Sequence, residues 1–385
     1  MSTLVVNCRK LPFASTLGVS HALLRLCTAL ARDHDLVFVV DDLKDIDESP
    51  ACDSIRSIAD RVITARVAEY ERETLSRDAL ELLPHHFQQS EFCSRSILIC
   101  HDLHVFDIPW KYGERAGAVQ DSFRRNLLNA NAVMTHFPRT YYAVERTAGI
   151  TLMNLFLTES PLLLDTNSAL TEPESVAPSD NRPRRLLYPA QLQAHKNHEA
   201  LVRGVQDLKK KGLDVTIACP GSEHRTSISE QLQSLVKASG VVDAFDFMGR
   251  LSDDALIDLY GDCDGVIVPS LAEGGAYVAL EAIAAGKPVA VNEIDAAKMH
   301  VDAMHGNVIW FDATDSEDTA KAMQELVQAD ASEWFRRNAK CRARVSEVSW
   351  EIVAQKWNLV IEMIEGRRQR PVLSTDASAS EIAYA

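Results

Sequence analysis

Pro269-Ser270-Leu271-Ala272-Glu273-Gly274-Gly275-Ala276-Tyr277-Val278-Ala279-Leu280-Glu281-Ala282 is the stretch on which the reading of this chain turns. Gly265 to Val268, just before it, is a short apolar run suited to a buried strand, and the residues from Tyr277 onward favour helix until Gly286-Lys287-Pro288 stops it. The two glutamates therefore bracket a strand-to-helix turn. A glycine doublet at such a turn lets backbone N–H groups approach a ligand closely, and the start of the helix carries partial positive charge suited to a phosphate. Glu273 at the turn and Glu281 within the helix can both accept hydrogen bonds from sugar or ribose hydroxyls, so the arrangement suits a nucleotide sugar. The plain alternative is that both glutamates only favour the helix macrodipole.

A second segment, Tyr188-Pro189-Ala190-Gln191-Leu192-Gln193-Ala194-His195-Lys196-Asn197-His198-Glu199, weighs against that alternative. The first stretch resembles the Glu-x7-Glu signature of retaining glycosyltransferases of family 4, which have the GT-B fold. The second resembles the donor-diphosphate segment of the same family, in the mannosyltransferase-like branch that reads Tyr-Pro-Ala-Gln and then His-Lys-Asn-His. The two matches come in the family's order and separation, and the resemblance is specific from about Leu186 to Phe311.

Composition sets limits without choosing a function. A chain of 385 residues fits two domains of ordinary size. The formal net charge of -15 argues against nucleic acid and against a broad basic patch for anionic lipids, leaving at most peripheral membrane contact. The N-terminus, Met1-Ser2-Thr3-Leu4-Val5-Val6, has no signal-peptide character and no run has the length of a membrane-spanning helix, so a cytoplasmic protein is expected. Eight cysteines without a C-x-x-C pair read as reduced core thiols, with neither a disulfide frame nor a zinc site.

Strand-like runs alternate with amphipathic segments through both halves, the pattern of parallel sheets covered by helices. The expected strands are Leu4 to Asn7, Leu36 to Val40, Ile97 to Cys100 and Ala132 to Thr135, then Leu186 to Tyr188, Val215 to Cys219, Phe245 to Met248, Val266 to Val268, Val289 to Val291 and Val308 to Phe311. Residues 165–185, rich in Ser, Pro and acidic side chains, read as a linker between an N-terminal domain (1–164) and a C-terminal nucleotide-sugar-binding domain (186–349). The expected fold is α/β: two doubly wound, Rossmann-like domains facing a central cleft. Ser349-Trp350-Glu351 resembles the family's closing element, implying that a helix over 350–366 crosses back to the N-terminal domain ahead of a disordered tail, 367–385.

The resemblance implies roles for particular residues. Lys196 would meet the donor diphosphate and stabilise the departing nucleotide, helped by the turn Gly274, Gly275, Ala276 and Tyr277; Glu273 would grip the sugar and Glu281 the ribose. Gln191 stands where many relatives have arginine, and Gly274-Gly275-Ala276 replaces the common Gly-Phe-Gly, so one cation is missing and a methyl is added. Gly18 matches the glycine-containing loop beside the diphosphate, within Leu11 to Gly18, although a glycine before a helix is also a plain turn. His101 and Asp102 match a His-Asp pair at the donor sugar, with His101 near the reacting carbon, and Arg250 and Leu251 match a loop against the base. Asn197 reads as the N-cap of the helix after it. His104 with His85-His86 supplies no recognisable metal spacing, and no metal or cofactor is expected.

These expectations converge on a retaining hexosyltransferase working by a front-face, metal-independent mechanism. The branch wording implies GDP-mannose or a related donor and a lipid-linked saccharide of bacterial polysaccharide assembly as acceptor. Two other classes fit the same residues: a nucleotide-sugar epimerase, hydrolase or phosphorylase of GT-B fold, or a catalytically silent nucleotide-binding relative.

Overall fold

The computed structural model describes residues 1–9, 18–47, 52–164, 184–223 and 226–367. The chain divides into two units, Met1–Leu163 with Val348–Ala385, and Leu164–Glu347. Residues 11–17 of the glycine loop, 165–183 of the expected linker and 368–385 of the expected tail lie outside the described residues.

The first unit is built on seven strands: β1 (Thr3–Asn7), β2 (Asp35–Val40), β3 (Arg61–Thr64), β4 (Ala79–Leu83), β5 (Ser96–Ile99), β6 (Ala132–Thr135) and β7 (Leu155–Leu157). They pair in parallel in the order β3-β2-β1-β4-β5-β6-β7. Central strands of a parallel sheet are covered on both faces, which is why β1 and β2 read as continuous apolar runs. The helix Gly18–Leu30 turns Leu23, Leu26, Cys27 and Leu30 onto this sheet, in a core shared with Val353, Ala354, Trp357 and Ile361 of the helix Trp350–Ile364. Ser349 caps that last helix by accepting the Ile352 N–H at 3.3 Å, and the helix belongs to the unit in which the chain began.

Strands β3, β4 and β7 were not among those expected from sequence. The sequence of β4, Ala-Leu-Glu-Leu-Leu, is helix-favouring, and its central carboxylate is fully buried. The surroundings supply the reason it is a strand. Glu81 Oε1 accepts from Asn7 Nδ2 at 2.8 Å, and Oε2 accepts from Ser90 Oγ at 2.7 Å and from the N–H groups of Glu91, Phe92 and Cys93 at 2.9, 2.9 and 3.1 Å. Five donors satisfy a charge that would otherwise be prohibitive inside a sheet.

The second unit has six strands: β8 (Arg184–Leu187), β9 (Val215–Pro220), β10 (Phe245–Gly249), β11 (Gly265–Val268), β12 (Val289–Asn292) and β13 (Ile309–Phe311). Their order is β10-β9-β8-β11-β12-β13, again all parallel. Arg184 and Arg185, assigned to the linker by composition, are instead the first residues of β8. Asp264 holds them there, through Arg184 Nη1 at 3.1 Å and the Arg185 N–H at 2.8 Å. Gly221, beyond β9, is required by close approach, because a Cβ there would lie 2.0 Å from the Ala190 carbonyl oxygen. In each sheet the strand order reverses beside the first strand, between β1 and β4 and between β8 and β11. Ligands of such sheets bind in the crevice beyond the carboxyl ends at that switch point.

Replacing Glu81 by Ala strands its donors in the core, and urea unfolding of the Glu81→Ala protein is expected to show a loss of about 3 kcal/mol or more in the first unit. A loss below about 1 kcal/mol would show that the carboxylate does not hold the β4 edge of the sheet together.

Candidate functional site

The loops leaving β8 and β11 are stitched together before any charged group is considered. The buried Tyr188 donates its hydroxyl to the Lys196 carbonyl at 2.8 Å and meets Ser270 Oγ at 2.8 Å. The Leu271 N–H donates to the His195 carbonyl at 2.8 Å. Asn197 stands at the N-cap position read from sequence, but its side chain is used elsewhere. It sits in the left-handed region at φ 54°, makes no side-chain cap bond, and donates Nδ2 to the carbonyls of Pro269 and Ala313 at 3.2 and 3.3 Å. Asn tolerates that backbone conformation, which is how the chain turns into the helix His198–Lys210. Asn292 completes the stitching by donating to the Ser270 carbonyl and accepting the Ala313 N–H, each at 2.9 Å.

On this platform Lys196, from the loop after β8, donates Nζ to Glu273 Oε1, from the loop after β11, at 2.6 Å. The pair spans the switch point. Its side chains are only 21% and 20% exposed, so the attraction is less screened than in a surface pair. An ammonium has three donors and this contact uses one.

The turn Gly274-Gly275 leads into the helix Tyr277–Ala284, with Ala276 as its first flanking residue. The Ala276 N–H, expected from sequence to face a phosphate, is already committed: it donates to Nδ1 of the buried His300 at 2.9 Å. His300 comes from the helix Asp295–Ala303, and the Tyr277 ring stands edge-on to it at 6.0 Å. Burial pushes the His300 imidazole down to about 4, so it is neutral and able to accept at Nδ1. Glu281 lies deeper in the same helix and accepts at Oε2 from the buried hydroxyl of Tyr260 at 2.9 Å. Burial lifts the Glu281 carboxyl to about 7, against the opposing hydrogen bonds from Tyr260 and the Leu164 backbone. Sequence reasoning found neither His300 nor Tyr260. They lie 24 residues after Ala276 and 21 before Glu281, with no local pattern linking them to the signature.

The other candidates are dispersed over both units. Gln191 donates Nε2 to Ser222 Oγ, in the loop after β9, at 2.9 Å and accepts from Gln193 Nε2 at 2.6 Å, so its amide is engaged by protein partners. Arg250 is exposed, and with Leu251 it comes after β10, the edge strand two places from β8. In the first unit Gly18 is the first residue of its helix, and a Cβ there would lie 3.3 Å from Leu163 Cδ1. His101, just past β5, is buried and donates Nε2–H to the Pro84 carbonyl at 2.7 Å. Burial lowers its pKa, leaving a neutral ring with Nδ1 as acceptor. The rings of His85 and His136 lie 6.0 and 6.3 Å from it. Asp102 accepts the His104 N–H at 2.9 Å; burial favours its acid form, but His104 and the other histidines around it outweigh that and hold the carboxyl below the ordinary range. Among the described residues no group of three or more His, Cys, Asp or Glu side chains is arranged to hold a metal ion. Nor is any described helix long and apolar enough to cross a membrane.

Two Rossmann-like parallel sheets in one chain are the architecture of the GT-B fold, and solved structures share it. Sucrose-phosphate synthase from Thermosynechococcus elongatus superposes with a TM-score of 0.70 at 16% identity, covering 96% of this chain and 100% of that one. Anabaena HepE in complex with UDP-glucose gives 0.70 at 13% identity over 95% and 100%. Residues 172–344 match the family model of glycosyl transferases group 1, so the chain carries a domain of that group. Mannosylfructose-phosphate synthase of Agrobacterium fabrum is 26% identical over 47% of this chain and 40% of its own length. D-inositol 3-phosphate glycosyltransferase of Corynebacterium jeikeium is 31% identical over 36% and 34%. The chain thus spans less than half the length of the curated relatives it matches.

The raised Glu281 pKa has a thermodynamic signature. Its folded value of about 7 lies above the unfolded reference of 4.5, so the stability it contributes is fully present below about 4.5 and is lost as pH rises through about 7. The expected difference is on the order of 3 kcal/mol. Urea unfolding should therefore show Glu281→Gln gaining on the unsubstituted protein across that interval. A difference between the two that does not change with pH would mean that Glu281 is ionised throughout.

Proposed function

We propose that the chain is a retaining glycosyltransferase that moves a hexose from a nucleoside-diphosphate sugar to an acceptor hydroxyl. The observation that carries this reading is the Lys196–Glu273 pair at 2.6 Å, contributed by the two loops that flank a Rossmann switch point. A diphosphate entering there meets the two remaining donors of the Lys196 ammonium, each charge-assisted bond worth roughly 1.5–3 kcal/mol. As the bond from sugar to phosphate breaks, negative charge grows on the departing nucleotide, so the ammonium stabilises the transition state more than the ground state. Glu273, oriented by Lys196, accepts from sugar hydroxyls, and Glu281, held by Tyr260, serves the ribose. The leaving phosphate oxygen takes the acceptor proton, so no protein carboxylate is needed as nucleophile and the configuration at the reacting carbon is retained.

The Tyr-Pro-Ala-Gln and His-Lys-Asn-His wording supports mannose from GDP-mannose as the donor group and a lipid-linked saccharide as acceptor. The names of two relatives, mannosylfructose-phosphate synthase and D-inositol 3-phosphate glycosyltransferase, favour a second reading of the acceptor as a small phosphorylated sugar or polyol.

The test is incubation of the purified protein with UDP-, GDP- and ADP-sugars, each with lipid-saccharide and sugar-phosphate acceptors, with product mass as the readout. A glycosylated product is expected, and its formation should continue in the presence of a chelator. Lys196→Ala and Glu273→Gln should each slow it at least about tenfold while the proteins remain folded by circular dichroism. Near-normal rates in both variants would remove the pair from the reaction. Product from donor alone, or from donor with phosphate, would replace transfer by hydrolysis, epimerisation or phosphorolysis.

A further inference from the structure

We propose that His300 is a positioning residue for the donor site: from a neighbouring helix it accepts the Ala276 N–H and thereby fixes the path of the Gly274–Ala276 turn into the helix Tyr277–Ala284. The inference rests on the donor-binding reading above and deepens it, since it names what holds the phosphate-facing turn in shape.

Geometry carries the inference. The first N–H groups of a helix have no partner within the helix, and a turn containing two glycines has little stiffness of its own. Here the N–H at the helix entrance is taken up by a side chain 24 residues away, at 2.9 Å in a buried setting. The same peptide unit starts the helix, because the Ala276 carbonyl accepts the Leu280 N–H at 3.0 Å. His300 itself is anchored within its own helix, its carbonyl accepting the Met304 N–H at 3.2 Å. The Tyr277 ring packs edge-on against the imidazole, so the residues on both sides of the Ala276–Tyr277 peptide bond are engaged by one side chain.

The chemical type of the acceptor also matters. An aspartate or glutamate could accept the same N–H, but would set a full negative charge beside a site intended for a diphosphate. A neutral imidazole carrying its proton on Nε2 offers a lone pair at Nδ1 without that repulsion. The Ala276 amide then acts as a strut that holds the turn in place, while the Lys196 ammonium meets the phosphates.

Three substitutions separate positioning from bulk packing. Asn carries its amide oxygen on the atom that corresponds to the one bearing Nδ1 in histidine, Gln carries its oxygen one bond further out, and Leu has no acceptor. Calorimetric titration of the full chain with GDP and with UDP should give a dissociation constant raised at least about tenfold in His300→Leu and His300→Gln, and restored to within about threefold of the parent in His300→Asn. Amide hydrogen exchange of Ala276, read by NMR or mass spectrometry, should accelerate in the Leu and Gln variants and stay slow in the Asn variant. Unchanged nucleotide affinity in His300→Leu, or an Asn variant no better than the Gln variant, would overturn the inference. If the parent protein binds neither nucleotide, the donor-site reading fails. The exchange measurement still decides the positioning role, and equal Ala276 exchange in all four proteins would end it.

Discussion

The second unit depends on how two strand-to-helix loops are held against each other at the point where the strand order reverses. Parallel neighbours reached by crossovers in opposite directions leave a gap beyond their carboxyl ends, and a loop at such a gap has no sheet partner to stiffen it. This chain closes the problem with buried side-chain bonds. Tyr188 ties the β8 loop to Ser270, Asn197 and Asn292 tie β8 and β11 to the loop after β13, and the Leu271 N–H bonds to the His195 carbonyl. Only with those backbones fixed can the 2.6 Å contact between Lys196 and Glu273 be a property of the fold rather than a chance meeting of two mobile side chains.

The same economy appears in the helix Tyr277–Ala284, which is held by neutral partners on two sides. His300 accepts at its entrance, and Tyr260 donates to Glu281 further in. Buried carboxylates elsewhere are treated differently. Glu81 is surrounded by five donors, whereas burial keeps Glu281 near neutrality, at about 7. A carboxyl with a pKa near 7 changes its charge on small changes in its surroundings.

The second sheet was more legible in the sequence than the first, for reasons that lie in particular residues. Each of β8 to β13 contains a short apolar run ended by Gly, Pro, Asn or Asp within a few residues, and apart from β8 those runs are rich in β-branched or aromatic residues. In the first sheet β4 carries a glutamate at its centre whose five partners come from β1 and from the segment 90–93, and β7 is three residues on an edge. Strand identity there is decided by tertiary contacts that no local window contains. The site divides in the same way. Lys196, Glu273 and Glu281 were singled out because they sit inside recognisable wording, and Asn197 was legible as the residue that opens its helix, whereas its bonds to two carbonyls 72 and 116 residues away had no local signal. His300 and Tyr260 contact the signature only through the fold.

These distant contacts bear on the two departures from family wording. Where the resemblance implies an arginine this chain has Gln191, whose amide is spent on Ser222 and Gln193, so it adds no positive charge. In the proposed reaction the growing charge on the nucleotide is then met by one ammonium and by oriented backbone dipoles. Dipoles stabilise charge well only when they are already aligned, because reorienting them during the reaction consumes the gain. In that proposal a site with fewer cations needs a stiffer turn, and the bond from Ala276 to His300 supplies stiffness at the residue where the resemblance implies a glycine. On this reading a backbone restrained by packing does part of the work of a second charge.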